Sequence, residues 1–324
     1  MTTVKKYLSL IKFAHTVFAL PFALIGFFLG LLRFLNDQFP NSVTAVRGRL
    51  FNTMSEDSMI MQILSGNNPY FTTGKYFTLV IFCMIFARSA AMAFNRYLDA
   101  KFDALNPRTA VREIPSGVIK PENALIFTIV SCLLFITCTF FINRLCFYLS
   151  PVALFVVLFY SYTKRFTALC HLVLGVGLSL APIGAYLAVT GHFALLPILF
   201  SVTVLFWVSG FDIIYALQDE AFDKSQDLRS IPAALGKKYA LRVSELLHSL
   251  SAICVVYAGF YGEFGTWYWI GVGIFIGLLI YQHLLVKPDD LRKVNVAFFT
   301  TNGVASVVFA VFVILDLFLG KWFF

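Results

Sequence analysis

Apolar stretches of about twenty residues, the length that crosses a bilayer core as a helix, recur along nearly the whole chain. Of its 324 residues, 59% are hydrophobic and only 13% are charged. A soluble chain carries roughly 25% charged residues. In hydrocarbon every backbone N–H and C=O must bond internally, and a helix does so within one segment. The chain therefore reads as an all-α polytopic membrane protein. Nine spans are expected, at residues 11–35, 76–98, 123–142, 147–160, 169–190, 193–217, 241–260, 267–286 and 294–319. One membrane domain, 1–324, is expected, with 36–75 as a long polar insertion. That insertion reads as a flexible excursion or as a surface helix near 54–64. The opening residues do not read as a cleaved signal, because the first apolar run is too long and no small-residue cleavage pattern follows it.

Six cysteines, Cys83, Cys132, Cys138, Cys146, Cys170 and Cys254, lie in or beside apolar runs with no CxxC pair, and read as small buried hydrophobes. The net charge of +8 is unevenly spread. With nine spans, the exits of spans two, four, six and eight share one membrane side. Outside the spans, only Arg33, Arg47, Arg49, Lys75, Arg144 and Lys321 fall on the other side. The positive-inside rule then makes the first side cytoplasmic, with the N-terminus inside. A cytoplasmic (inner) membrane location with a lipid bilayer as partner follows; no nucleic acid is expected.

Against this apolar background the acids stand out. Asn95, Asp99 and Asp103 recur every four residues at the end of span two, so a continuing helix places them on one face. Asp212, Tyr215, Asp219 and Asp223 repeat the theme at the end of span six. Arg88 lies inside span two, close to three turns before Asp99 and on its face. A lone arginine there is costly unless it is paired or faces a wet cavity; it reads either as part of a polar seam or as a structural counter-ion. One acidic cluster alone is readily a solvated helix end. Two clusters on one side, with basic neighbours, point to a shared cavity.

Four carboxylates, Asp99, Asp103, Asp219 and Asp223, would repel one another strongly in a low-dielectric pocket. Oxygen-rich sites of this kind suit Mg²⁺, which takes few carboxylates and keeps waters and substrate phosphates. Asn95 adds a carbonyl oxygen. Arg96, Lys101, Arg108, Arg112, Lys164 and Arg229 are available for phosphate oxygens. Tyr160, Tyr162 and Tyr215 offer hydroxyls. His15, near the start of span one, is read as substrate contact or interfacial packing.

The run Asn95-Arg96-Tyr97-Leu98-Asp99-Ala100-Lys101-Phe102-Asp103, with Asn106-Pro107-Arg108-Thr109-Ala110 and with 212–223, resembles the UbiA family of intramembrane prenyltransferases. The likeness extends to 12–23 and 160–167, and within the family it is greatest to the 4-hydroxybenzoate polyprenyltransferases. The 36–75 insertion departs from the family pattern. The resemblance implies nine helices around a central cavity with a lateral opening to lipid. Asn95, Asp99 and Asp103 match the first metal–diphosphate motif, and Asp219 and Asp223 the second. Lys164 and Tyr160 match diphosphate-binding positions, Arg165 an arginine associated with the acceptor's carboxylate, and Asp212 a further family position.

The expected activity is Mg²⁺-dependent transfer of a polyprenyl group from polyprenyl diphosphate to an aromatic acceptor, 4-hydroxybenzoate, in quinone biosynthesis, of ubiquinone or menaquinone. Asp99, Asp103, Asp212, Asp219 and Asp223 are the expected catalytic residues. Asn95, Arg96, Arg108, Arg112, Tyr160, Lys164, Arg165 and Tyr215 are expected to bind substrate. Dihydroxynaphthoate, haem and glycerol phosphate are alternative acceptors. A membrane transporter lined by Arg88 and the acids is the alternative from another class, although transporter sites lie at mid-depth rather than at one face.

Overall fold

A computed structural model describes residues 3–11, 18–38 and 69–320. The expected surface helix at 54–64, Lys12, His15 and the terminal 321–324 lie outside the described residues. Among the described residues there is no strand. The chain runs α1 (Thr3–Leu10), α2 (Leu20–Gln38), α3 (Pro69–Leu98), α4 (Ala100–Leu105), α5 (Pro121–Ile142), α6 (Arg144–Thr163), α7 (Cys170–Thr190), α8 (Leu195–Ala216), a 3-10 turn (Leu217–Asp219), α9 (Glu220–Ser225), α10 (Ile231–Tyr261), α11 (Thr266–Leu285), a π-helical turn (Val296–Thr301) and α12 (Asn302–Leu319).

Eight of the described helices are long and apolar enough to cross a membrane. α2 carries a shorter apolar stretch, Leu20–Asn36, and covers part of the expected first span. Two segments differ from the sequence reading. The polar stretch 218–238, expected to be a loop, is largely helical, and α10 begins at Ile231 rather than at 241. Ser230 explains the early start: its side chain accepts the Ala233 amide at 3.3 Å, and proline follows within the first turn. Both are N-terminal helix signals.

Helices adjacent in the chain pack side by side, from α3 through α5, α6, α7, α8 and α10 to α11 and α12; α2 closes the assembly against α7 and α12. With lipid outside, close packing and interhelical hydrogen bonds supply the cohesion. α2 meets α7 so closely that a Cβ at Gly26 would stand 1.9 Å from the Pro182 carbonyl oxygen. The main core gathers Phe22, Phe200, Trp207, Tyr268, Phe275 and Phe309 between α2, α8, α11 and α12. Trp207 Nε1 donates to Asn302 Oδ1 at 2.9 Å. Asn302 in turn donates to the Ala297 and Phe298 carbonyls, which the π-helical turn leaves accessible.

Asn143 caps α6 by accepting the Cys146 amide at 2.8 Å and donates to the Leu187 carbonyl at 2.8 Å, which fixes the α5–α6 turn against α7. Asp316 of α12 accepts the Gly265 and Tyr268 amides at the N-terminus of α11, where an anion is favoured. These caps lie at the end of the bundle opposite the acidic motifs.

Candidate active site

The ends of α3, α6 and α8 and the start of α7 converge on a cavity of about 290 Å³. Its wall contains Asn95, Arg96, Asp99, Asp103, Arg108, Arg112, Tyr160, Lys164, Arg165, Asp212, Tyr215, Asp219 and Asp223. The two acidic motifs, more than a hundred residues apart in sequence, thus share one cavity.

α3 ends at Leu98, yet the Asp99 amide still bonds the Asn95 carbonyl (2.9 Å) and the Asp103 amide the Asp99 carbonyl (2.7 Å). The i→i−4 ladder therefore carries the motif through the break. Asn95 Nδ2 donates to Asp99 Oδ2 at 2.9 Å, as expected for neighbours on one face.

Each motif carboxylate is met by a cation from another segment. Arg165 reaches Asp99 Oδ1 at 3.0 Å and also donates to the Leu98 and Ser161 carbonyls. Arg112 holds Asp103 Oδ1 at 2.6 Å. Arg108 grips both oxygens of Asp219 and donates to the Tyr215 hydroxyl at 2.9 Å, while Asn106 donates to Asp219 Oδ1 at 3.2 Å. Lys164 meets Asp223 at 2.7 Å, and Ser230 donates to the other Asp223 oxygen at 2.8 Å. The sequence reading had these cations free for phosphate; here they bind the acids. Burial raises the Asp99 carboxyl above its usual range, with Arg165 pulling the other way. Burial alone would lower the Lys164 ammonium, but Asp223 beside it holds it above its ordinary value.

Among the described residues, no three His, Cys, Asp or Glu side chains converge closely enough to form a metal site on their own. The donor set nevertheless fits Mg²⁺. It consists of hard oxygens from Asn95, Asp99, Asp103, Asp219 and Asp223, few at any one point, as an ion that keeps waters and substrate phosphates requires. Buried Asp103 Oδ2 accepts no hydrogen bond, and Arg96 Nη1 stands 3.9 Å away. It is an oxygen awaiting a partner.

Sequence reasoning missed His171. Its Nδ1 lies 2.6 Å from Asp212 Oδ2, and its Nε2 accepts the Ile231 amide at the start of α10, 3.4 Å away. That contact leaves the proton on Nδ1, directed at Asp212. The signal was available, since an ionisable residue inside an apolar span marks function by default. Asn106 and Ser230 were also missed. Aromatic rings complete the wall. Tyr215 stacks on Phe298 with centroids 4.1 Å apart, and Phe18, Phe102, Phe211 and Phe222 line the same space.

A second cavity, of about 380 Å³, is almost wholly apolar and lies between α3, α5, α6 and α7. Arg88, Met92, Tyr160, Leu174 and Leu178 belong to both walls.

An all-helical multi-pass bundle with an acidic, cation-lined cavity at one end and an apolar one beside it defines an integral-membrane enzyme for an amphiphilic anionic substrate. The chain belongs to the UbiA prenyltransferase family, whose pattern it matches over residues 59–304. It is 30% identical over 249 residues to a 4-hydroxybenzoate octaprenyltransferase of Tolumonas auensis, covering 76% of this chain and 85% of the relative. The enzyme of the same name from Francisella tularensis subsp. mediasiatica is 28% identical over 73% of this chain and 84% of its own. Among solved structures, the apo form of a UbiA homologue from Aeropyrum pernix K1 superposes with a TM-score of 0.73 at 25% identity, covering 93% of this chain and 98% of that one. A UbiA homologue from Archaeoglobus fulgidus bound to DMAPP and Mg²⁺ shares the fold, with a TM-score of 0.64 at 19% identity over 97% and 99% of the two chains. Family membership decides against the transporter alternative.

Proposed function

We propose that this protein transfers a polyprenyl group from polyprenyl diphosphate to the ring of an aromatic acid, 4-hydroxybenzoate, in quinone biosynthesis. The observation that carries the proposal is the junction of the two cavities. A diphosphate head fits the cation-rich cavity and a polyprenyl tail the apolar one, with the allylic carbon between them. The two relatives named above, both 4-hydroxybenzoate octaprenyltransferases, support the choice of acceptor.

Asn95, Asp99, Asp103, Asp219 and Asp223 would hold Mg²⁺, which when bound neutralises charge on the diphosphate. Lys164, Arg108 and Arg112 turn from their carboxylates to the diphosphate oxygens, stabilising charge that grows as the allylic C–O bond breaks. Arg96, Tyr160 and Tyr215 line the same head-group space. The aromatic wall shields the allylic cation from water and stabilises it through ring faces. A ring carbon ortho to the hydroxyl then bonds to the allylic carbon. The proton displaced from that ring carbon goes to Asp212, which His171 orients, and diphosphate leaves. The charge distribution places this cavity at the cytoplasmic side of the cytoplasmic membrane, with the N-terminus inside and nine spans in all.

Mass spectrometry on the purified protein, with one polyprenyl diphosphate, Mg²⁺ and a panel of aromatic acids, tests the reading. A prenylated 4-hydroxybenzoate that disappears on chelation of Mg²⁺ is the expected result. Product from haem or from a glycerol phosphate, with none from any aromatic acid, would refute it.

A further inference from the structure

Arg88 stands in the apolar middle of α3 and lines both cavities. The neighbouring cations are engaged: Arg108, Arg112, Lys164 and Arg165 each hold a motif carboxylate. Among the described residues, Arg88 makes no ion pair, and its buried Nε has no hydrogen-bond partner. A guanidinium inside a span is expensive when nothing neutralises it. Its position at a junction of cavities, rather than against lipid, indicates that the missing anion arrives with a ligand.

The chemistry of that ligand can be narrowed. Arg88 precedes Asn95 by two turns, roughly 10 Å along the helix, so it sits below the acidic motifs and not among them. The diphosphate already has its own cations at the acidic end, and a polyprenyl tail carries no charge. An anion at the depth of Arg88 must therefore sit on a compact, largely apolar body that reaches back toward the allylic carbon. An aromatic carboxylate has that shape. Its two oxygens match the guanidinium fork, and the Tyr160 hydroxyl shares the junction.

Resting on the aromatic-acid reading above, we propose that Arg88 anchors the acceptor's carboxylate and so imposes the requirement for an aromatic acid. Arg165, which the sequence reading gave this task, is occupied instead with Asp99 and two backbone carbonyls.

The test compares 4-hydroxybenzoate with its uncharged methyl ester. Binding of each is measured by equilibrium dialysis to enzyme loaded with Mg²⁺ and an unreactive thio-analogue of polyprenyl diphosphate, and turnover is measured with the diphosphate itself. The wild-type protein should favour the acid by about a hundredfold, the scale of one desolvated charge pair. Arg88→Gln should abolish that preference, leave ester binding unchanged and leave thio-diphosphate affinity within about twofold. Arg88→Lys, which keeps the charge but loses the fork, should retain part of the preference; if the glutamine variant does not fold, the lysine variant must still lose affinity for the acid more than for the ester.

The proposal fails if Arg88→Gln preserves the acid-to-ester ratio, if it costs thio-diphosphate binding instead, or if Arg165→Gln erases the ratio and Arg88→Gln does not. A wild-type protein that prenylates 4-hydroxybenzoate while Arg88→Gln keeps its ratio overturns only the anchor. A wild-type protein that binds diphosphate but no aromatic carboxylate overturns both the anchor and the acceptor class.

Discussion

Lys164→Met isolates the energetics of the charge pairing. Asp223 is fully buried, its side chain 0% exposed, while the Lys164 side chain is 35% exposed. Removing one partner of a buried pair costs about 3–5 kcal/mol, because the other charge stays buried without compensation. Partial exposure of Lys164 to cavity water and the surviving Ser230 bond place the expected loss near the lower end, about 3 kcal/mol. That is roughly two decades in the unfolding constant. Asp223→Asn alone leaves Lys164 facing a wet cavity, so its cost should be nearer 1 kcal/mol. The double variant should resemble Asp223→Asn, giving a coupling energy of about 2 kcal/mol in a mutant cycle. Denaturant unfolding in mixed micelles measures all four proteins. Mg²⁺ adds a second readout: an empty cation position beside Asp223 should make the ion stabilise Lys164→Met more than the wild type. If Lys164→Met unfolds within 0.5 kcal/mol of the wild type, or if the two substitutions are additive, the pairing does not hold the site together.

Asp99→Asn should remove nearly all prenyl transfer while leaving the fold intact, as read by circular dichroism and turnover. It should also change the pH profile. Burial makes the folded Asp99 carboxyl take up a proton more readily than an unfolded one, so falling pH neutralises it early; Mg²⁺-dependent diphosphate binding should weaken between about pH 7 and 5 in the wild type and less steeply in Asp99→Asn. His171→Ala should lower kcat by about tenfold to a hundredfold, the scale of a positioning shell, with diphosphate affinity unchanged, and His171→Asn, which can still donate to Asp212, should recover part of it. An equal loss in both variants would remove the orienting role. Gly236 breaks α10 at φ 75°, ψ 164°, a conformation essentially confined to glycine. Although a Cβ there meets no atom within 4 Å, Gly236→Ala should destabilise by about 1–3 kcal/mol through backbone strain alone.

The spans were legible because the bilayer imposes one periodic demand on every helix, and length and apolarity answer it locally. Asn95, Asp99 and Asp103 were legible for the same reason, as a four-residue repeat with no apolar explanation. What the sequence concealed was tertiary. Nothing in the order of residues shows that Arg108 belongs to Asp219, or Arg112 to Asp103, since both arginines sit in an irregular turn whose path is set by the groups it meets. The stretch 218–238 reads as a loop because its polar residues suggest water. It is helical because Asp219 and Asp223 find cations inside the cavity, and Ser230 both caps α10 and donates to Asp223. His171 was overlooked for the opposite reason: one polar residue in an apolar run looks like packing until Asp212 is found beside it.

The pairing pattern has a consequence for ligand order. In this structure Arg165, Arg112, Arg108 and Lys164 neutralise Asp99, Asp103, Asp219 and Asp223 one for one. For these carboxylates to hold Mg²⁺, they must release their cations. For the cations to hold a diphosphate, they must release their carboxylates. Either exchange alone leaves one set of charges desolvated and unmatched, whereas both together restore neutrality. Each ligand should therefore raise the affinity for the other by the same factor, as linkage requires, on the order of tenfold to a hundredfold for a coupling of about 1–3 kcal/mol. Calorimetric titration of Mg²⁺ with and without the thio-diphosphate measures that factor. Lys164→Met should reduce it, because Asp223 then begins without a cation to release. Equal Mg²⁺ affinity in the two titrations would mean that the ion pairs are incidental to ligand binding.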